Sequence, residues 1–233
     1  MVSVIITVYN SEAYIAEAVE SVLNQTLPAG EVFVVDDGST DGTGEVLRRF
    51  EGRIRYIHQA NQGQGAALNT GIGLAKGSFL GFLDSDDLWT PTKLEVQLAA
   101  LEADPSLELV YGQTRQFRSP ELAPAVAETL TCDDKLQPSP LISGLLVRRS
   151  VFDGVGAFRV DNVTACLDWY LRMREAGIRH SYPDHHITWR RVHEANTSLK
   201  HKRIGQDYLQ QLKASLDRRR ASGGGAKPMV NGK

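Results

Sequence analysis

Cysteine is scarce: only Cys132 and Cys166 occur in 233 residues. They lie far apart, with neither zinc-ligand spacing nor a CxxC redox pair. That excludes a disulfide scaffold and fits a reduced, cytoplasmic setting. Long apolar runs are missing too. No stretch reaches about 18 residues, so no segment is expected to span a bilayer, which leaves at most peripheral contact with the inner face of a membrane. No basic N-terminal region with a cleavage site is present, so no secretory signal is expected. Charge of one sign is also absent: 26 Lys and Arg face 28 Asp and Glu, for a net charge of −2. That balance argues against a nucleic-acid partner. The chain has no internal repeats.

What is present is an ordinary apolar content and a length that buries a core without staples. The spacing predicts strands over Val2–Val8, Glu31–Asp36, Ile54–His58 and Ser78–Leu83. Helices alternate with them. Ser11 is expected to cap the first, whose apolar face is Ile15, Ala18, Val19, Val22 and Leu23. Further helices are expected over Thr43–Phe50, Gly65–Ala75 and Pro91–Ala103. Such alternation implies an α/β fold with a mostly parallel sheet flanked by helices. Beyond it the pattern predicts strands over Leu107–Gln113 and Leu141–Val147, and a long surface loop over 118–138. Helices are expected over Asp168–Ala176 and Ile204–Arg220. Residues 1–220 thus read as one domain, and the Gly-rich stretch 221–233 as a disordered tail.

Two strands end in acids, Val34-Val-Asp-Asp-Gly-Ser-Thr-Asp41 and Phe82-Leu-Asp-Ser-Asp-Asp-Leu-Trp89. In open parallel sheets, ligands bind outside the carboxyl ends of the strands, so both clusters should face one crevice. Asp, Gly, Ser and Thr also form turns, and Gly38–Asp41 reads that way. Three carboxylates at Asp84, Asp86 and Asp87 repel one another unless a cation or strong donors compensate. A hard divalent cation taking oxygen ligands and substrate phosphates would do so. The residues alone leave a metal site and a plain turn both open.

The order of motifs resembles the inverting glycosyltransferases of family 2, which adopt the GT-A nucleotide-diphospho-sugar transferase fold. Beside the opening strand and the two acidic clusters, Asn61-Gln-Gly-Gln-Gly-Ala-Ala-Leu-Asn69 is similar to the family's glycine-rich segment, and Phe82-Leu-Asp-Ser-Asp-Asp87 to its DxD motif. Asp168-Trp-Tyr-Leu-Arg172 and Arg191-Val-His-Glu-Ala-Asn-Thr-Ser198 resemble its acceptor-side helix and closing segment. The resemblance implies a nucleotide-sugar-binding half over 1–113 and an acceptor-side half over 114–220. It implies that Thr7, Val8 and Tyr9 line the nucleoside pocket and that Asp37 hydrogen-bonds the base. Asn69, Asp84, Ser85 and Asp86 would complete the donor site, and Asp86 with His193 would hold Mn2+ or Mg2+. The implied donor is a nucleotide-diphosphate sugar, a UDP-sugar first, with a saccharide, lipid or peptide as acceptor.

Two departures stand out. Leu68 occupies a position where the family often carries arginine, which removes a charge-assisted contact to the donor. Relatives commonly show Glu-Asp, one residue, then Asp-Trp; anchored on Trp169, those first two acids fall on Ala165 and Cys166. Asp168 is the acid left, and is the expected base, at the start of its helix near the crevice mouth. The altered motif also raises an alternative, a nucleotide-sugar-binding protein with weak or lost transfer. A nucleotidyltransferase would want a basic, glycine-rich phosphate loop after the first strand, and Val8-Tyr-Asn-Ser11 is not one.

Overall fold

The computed structural model describes residues 1–160, 164–196 and 204–221. The expected tail beyond Ala221, and Thr197 and Ser198 of the closing motif, lie outside the described residues. Every residue of β1 (Val2–Val8) is buried. The strand sits mid-sheet, parallel to both β2 (Glu31–Asp36) and β4 (Phe79–Asp84). With β3 (Arg55–His58), β6 (Leu109–Val110), β9 (Leu146–Arg148) and β10 (His180–Ser181), these strands form a seven-stranded sheet of order β10-β6-β9-β4-β1-β2-β3. Only β9 runs antiparallel to its neighbours.

Period-two alternation sends successive side chains to opposite faces. Val4, Ile6 and Val8 meet α1 (Ile15–Leu23), α2 (Thr43–Arg48) and α4 (Lys93–Ala103) on one side. Ile5 meets α3 (Gln64–Leu74), α6 (Val151–Val155) and α7 (Ala165–Glu175) on the other. Each fully buried aliphatic side chain contributes about 1.5–3 kcal/mol. Close approach matters at Gly71, where an added Cβ would stand 2.5 Å from Ile5 of the strand beneath.

Several boundaries differ from the sequence reading. The expected strand over Leu107–Gln113 is split: β6 is two residues long, and β7 (Gln113–Arg118) belongs to another sheet. That second sheet, of order β5-β11-β7-β8, adds β5 (Leu88–Trp89), β8 (Gln137–Pro138) and β11 (His186–Val192). The 118–138 stretch is a surface segment but carries α5 (Pro124–Thr129) and β8. Over Leu141–Val147 a 3₁₀ turn at Ile142–Gly144 precedes β9. Ser11 does not cap α1 with its hydroxyl; its carbonyl accepts from Tyr14 and Ile15, and the helix begins at Ile15. The last described helix, α8 (Ile204–Ala221), packs against α7.

Candidate active site

The parallel register sets Val8 opposite Asp36 and Thr7 opposite Asp84, so β1, β2 and β4 end side by side. The loops after β1 and β2 are knitted together. The Asn10 amide N–H donates to Ser39 Oγ at 2.9 Å, and Asn10 Oδ1 accepts from the Thr40 N–H at 2.7 Å. Gly38 turns this loop at φ +82°, and a Cβ there would stand 2.9 Å from the Asn61 nitrogen. Thr7 and Val8 are buried under this edge, while Tyr9 is 51 % exposed at the crevice.

The DxD turn is built on buried donors. Ser143 Oγ accepts the Asp84 N–H at 3.1 Å and donates to Asp87 Oδ2 at 2.7 Å. Asp87 Oδ1 accepts the Arg191 N–H at 3.1 Å. The Arg191 guanidinium then braces the turn from below. Nε donates to the Asp86 carbonyl at 3.0 Å, Nη2 meets Glu17 Oε2 at 2.7 Å, and Tyr14 and Phe117 flank it. Ser85 Oγ donates to Ser11 Oγ at 3.0 Å, tying the turn to the β1 loop.

Asp86 and His193 come together although 107 residues separate them: Nε2 lies 2.9 Å from Oδ2. Asn196 Nδ2 donates to the same oxygen at 3.1 Å, while its Oδ1 accepts the His193 N–H at 2.7 Å. His193 is buried against the Tyr14 ring, 4.4 Å between centroids, and its Nδ1 has no partner. Burial, then the Asp86 charge, pushes Asp84 up to about 7. The same causes, with Asp84 added, push Asp87 well above the usual carboxylate range. The three carboxylates thus crowd one turn, and burial disfavours charging Asp84 and Asp87 together.

A divalent cation fits that crowding and the donor set of carboxylate and imidazole. Among the described residues no three His, Cys, Asp or Glu side chains converge as ligands. Asp86 and His193 would offer two, an oxygen and a ring nitrogen 2.9 Å apart.

Other expected site residues are engaged elsewhere. Asp37 is buried, and its carboxylate accepts from Gln59 Nε2 at 2.8 Å, the Gln62 N–H at 3.0 Å and the Gly63 N–H at 2.7 Å. It organises the glycine-rich loop. The Asn69 amide is paired on both sides with the Phe158 backbone, at 2.8 and 2.9 Å. Leu68 is 1 % exposed in the core with Ile5, Phe33 and Phe82, so it is not a vacant donor contact.

Asp168 departs most from expectation. The helix starts at Ala165, so Asp168 is not its cap, and its side chain is 0 % exposed. Oδ2 accepts from Arg172 Nε at 2.7 Å and lies 3.5 Å from Arg159 Nε; Oδ1 lies 3.8 Å from Arg218. The residue of this motif that faces the crevice is Cys166. Its thiol donates to Gln64 Oε1 at 3.6 Å, and Gln64 Nε2 donates to Asp84 Oδ1 at 2.6 Å. Burial, then the Asp84 charge, pushes that thiol up, so it is a poor base at neutral pH.

Reading the sequence missed Gln64, Ser143, Arg191 and Asn196 as site residues. Asn196 stood in a quoted motif, three residues after His193. Ser143 had no local signal, because only the fold carries it under the DxD turn.

Residues 3–131 match the family model described as Glycosyl transferase family 2. The chain belongs to glycosyl transferase family 2. It is 34 % identical over 177 residues to an uncharacterized glycosyltransferase of Nostoc sp., a match covering 70 % of this chain and 54 % of that protein. Among solved structures, S. aureus TarS 1-349 in complex with UDP-GlcNAc superposes with TM-score 0.71 at 20 % identity, over 92 % of this chain and 65 % of that one. The mannosyltransferase PcManGT from Pyrobaculum calidifontis, in complex with GDP-Man and Mn2+, gives TM-score 0.69 at 23 % identity, over 97 % and 65 %. This family 2 chain thus has the GT-A fold and spans about half to two thirds of the length of these proteins. No described helix of this family 2 chain is long and apolar enough to cross a membrane.

Proposed function

We propose that this chain is a metal-dependent, inverting glycosyltransferase using a nucleotide-diphosphate sugar, a UDP-sugar first. The single observation that carries this reading is the meeting of Asp86, His193 and Asn196 at the carboxyl end of β4. Asp86 and His193 would hold Mn2+ or Mg2+, which supplies positive charge to a departing diphosphate. Tyr9, exposed at the end of β1, would pack on the nucleoside above Thr7 and Val8. Asp84, fixed by Gln64, would accept from donor hydroxyls. Ser143 and Arg191 would hold the turn still, so that no reorganisation is needed when charge develops. The complexes of PcManGT with GDP-Man and Mn2+ and of TarS with UDP-GlcNAc support the same chemistry in proteins of this fold.

The acceptor proton has no carboxylate waiting for it in α7. Asp168 is sealed and ion-paired, and the crevice position holds Cys166. This arrangement also supports a second reading, in which the chain binds a nucleotide sugar but transfers it weakly or not at all. Titration of UDP- and GDP-sugars with and without Mn2+ tests the common part. Asp86→Ala is expected to abolish Mn2+-dependent binding with the fold intact. Unchanged Mn2+-dependent binding by that variant would remove Asp86 from the site. Release of nucleoside diphosphate from the bound donor then separates the two readings.

A further inference from the structure

The helix α8 is docked by its polar side. Asp207, Gln211, Ala214, Ser215 and Arg218 recur at helical spacing and are buried or half-buried, so they form the seam. Within that seam Ser215 is buried, and Arg218 makes a two-pronged pair with Glu175 of α7 at 2.7 and 3.0 Å. The adjoining, solvent-facing side carries the apolar residues. Tyr208, Leu209, Leu212 and Leu216 lie on one stripe and are 42, 67, 46 and 51 % exposed. This inverts the usual arrangement, in which a surface helix turns its apolar stripe to the core. Among the described residues, no element covers that stripe.

The surrounding charge says what does. Lys213 and Arg220 are exposed along one edge of the stripe, and Arg219 continues it one turn beyond Leu216. The helix itself, residues 204–221, holds four Lys and Arg against two Asp, in a chain whose net charge is −2. An apolar stripe bordered by basic residues is the pattern of a helix lying in a lipid interface, with leucines among acyl chains and cations at anionic headgroups. A second copy of this chain fits less well. Pairing α8 with its own image would bring the two basic borders together, a like-charge contact that opposes association.

We infer that α8 docks this protein onto an anionic lipid surface, with Tyr208, Leu209, Leu212 and Leu216 entering the interface. The inference is independent of donor chemistry, since none of these residues touches the DxD turn.

The experiment is co-sedimentation of the full chain with vesicles of phosphatidylcholine alone or doped with phosphatidylglycerol, at low and high salt. Binding is expected only to the phosphatidylglycerol vesicles and is expected to weaken as salt rises. The triple variant Leu209→Gln, Leu212→Gln, Leu216→Gln should lose about tenfold or more of that binding. Because these side chains already face solvent, its melting temperature should match the parent. Lys213→Glu with Arg220→Glu should weaken binding to anionic vesicles with the leucines intact. Three results would overturn the inference. One is absence of binding to either vesicle; another is binding that the triple variant retains. The third is light scattering that shows a dimer dissociated by Leu212→Glu, which would make the stripe a self-interface.

Discussion

Replacing Asp168 with asparagine separates a base from a brace, and the structure favours the brace. Asparagine keeps the shape and one acceptor for Arg172 Nε, now 2.7 Å from the carboxylate. Losing charge assistance on that bond costs about 1.5 kcal/mol. The new amide N–H2 is sealed among guanidinium groups with nothing to donate to, which costs about 1–2 kcal/mol more. The Arg159 and Arg218 pairs, at 3.5 and 3.8 Å with side chains 51 and 31 % exposed, are solvent-screened and add little. The sum is about 3 kcal/mol. For a chain of this size that is a fall in melting temperature of about 6–12 °C. Urea unfolding and a thermal melt read the stability. Release of nucleoside diphosphate, measured well below the lowered midpoint, reads turnover per folded molecule. The expected outcome is a clear loss of stability with turnover within about tenfold of the parent. Stability within about 0.5 kcal/mol of the parent, together with a hundredfold or greater fall in turnover, would refute this reasoning and return Asp168 to the role of base.

Cys166→Asp places a carboxylate beside Gln64 at the crevice, and about a hundredfold gain in nucleoside-diphosphate release is expected with a donor that binds. No gain in that assay would mean the acceptor side of the crevice lies elsewhere. Leu68→Arg buries a charge in the core and should destabilise by on the order of 5 kcal/mol, so that little folded protein is recovered. A stable variant with tighter donor binding in titration would show that this side chain reaches the crevice after all. Ser143→Ala leaves Asp87 Oδ2 and the Asp84 N–H without their shared partner, and should cost about 2–4 kcal/mol in urea unfolding and weaken Mn2+-dependent donor binding. A cost below about 0.5 kcal/mol would show that water replaces the hydroxyl.

Much of the donor half was legible because its signals are local. Val2–Val8, apolar but for Ser3 and Thr7, reads as a strand covered on both faces, and the Ile15, Ala18, Val19, Val22 spacing as the buried face of a helix. Acids at the ends of β2 and β4 follow from the same pattern, since parallel strands bring their carboxyl ends to one edge. The second half was less legible. The strands β5, β6, β8 and β10 are two residues long, too short for a periodicity. The seven-residue β11 reads His-Ile-Thr-Trp-Arg-Arg-Val, whose buried arginine has no apolar signature.

By itself, then, the sequence determined the α/β class, the family and the acidic edge, because hydrophobic period and motif order are written along the chain. Only the tertiary structure decided which polar side chains serve that edge. An acid reads the same in sequence whether it faces the crevice, as Asp84 and Asp86 do, or is engaged inside, as Asp37 and Asp168 are. Its role is set by the donors brought against it from elsewhere in the chain. Motif order implied that Asp86 and His193 act together across 107 residues, but Asp87 meets Ser143 across 56, and no local pattern encodes that contact.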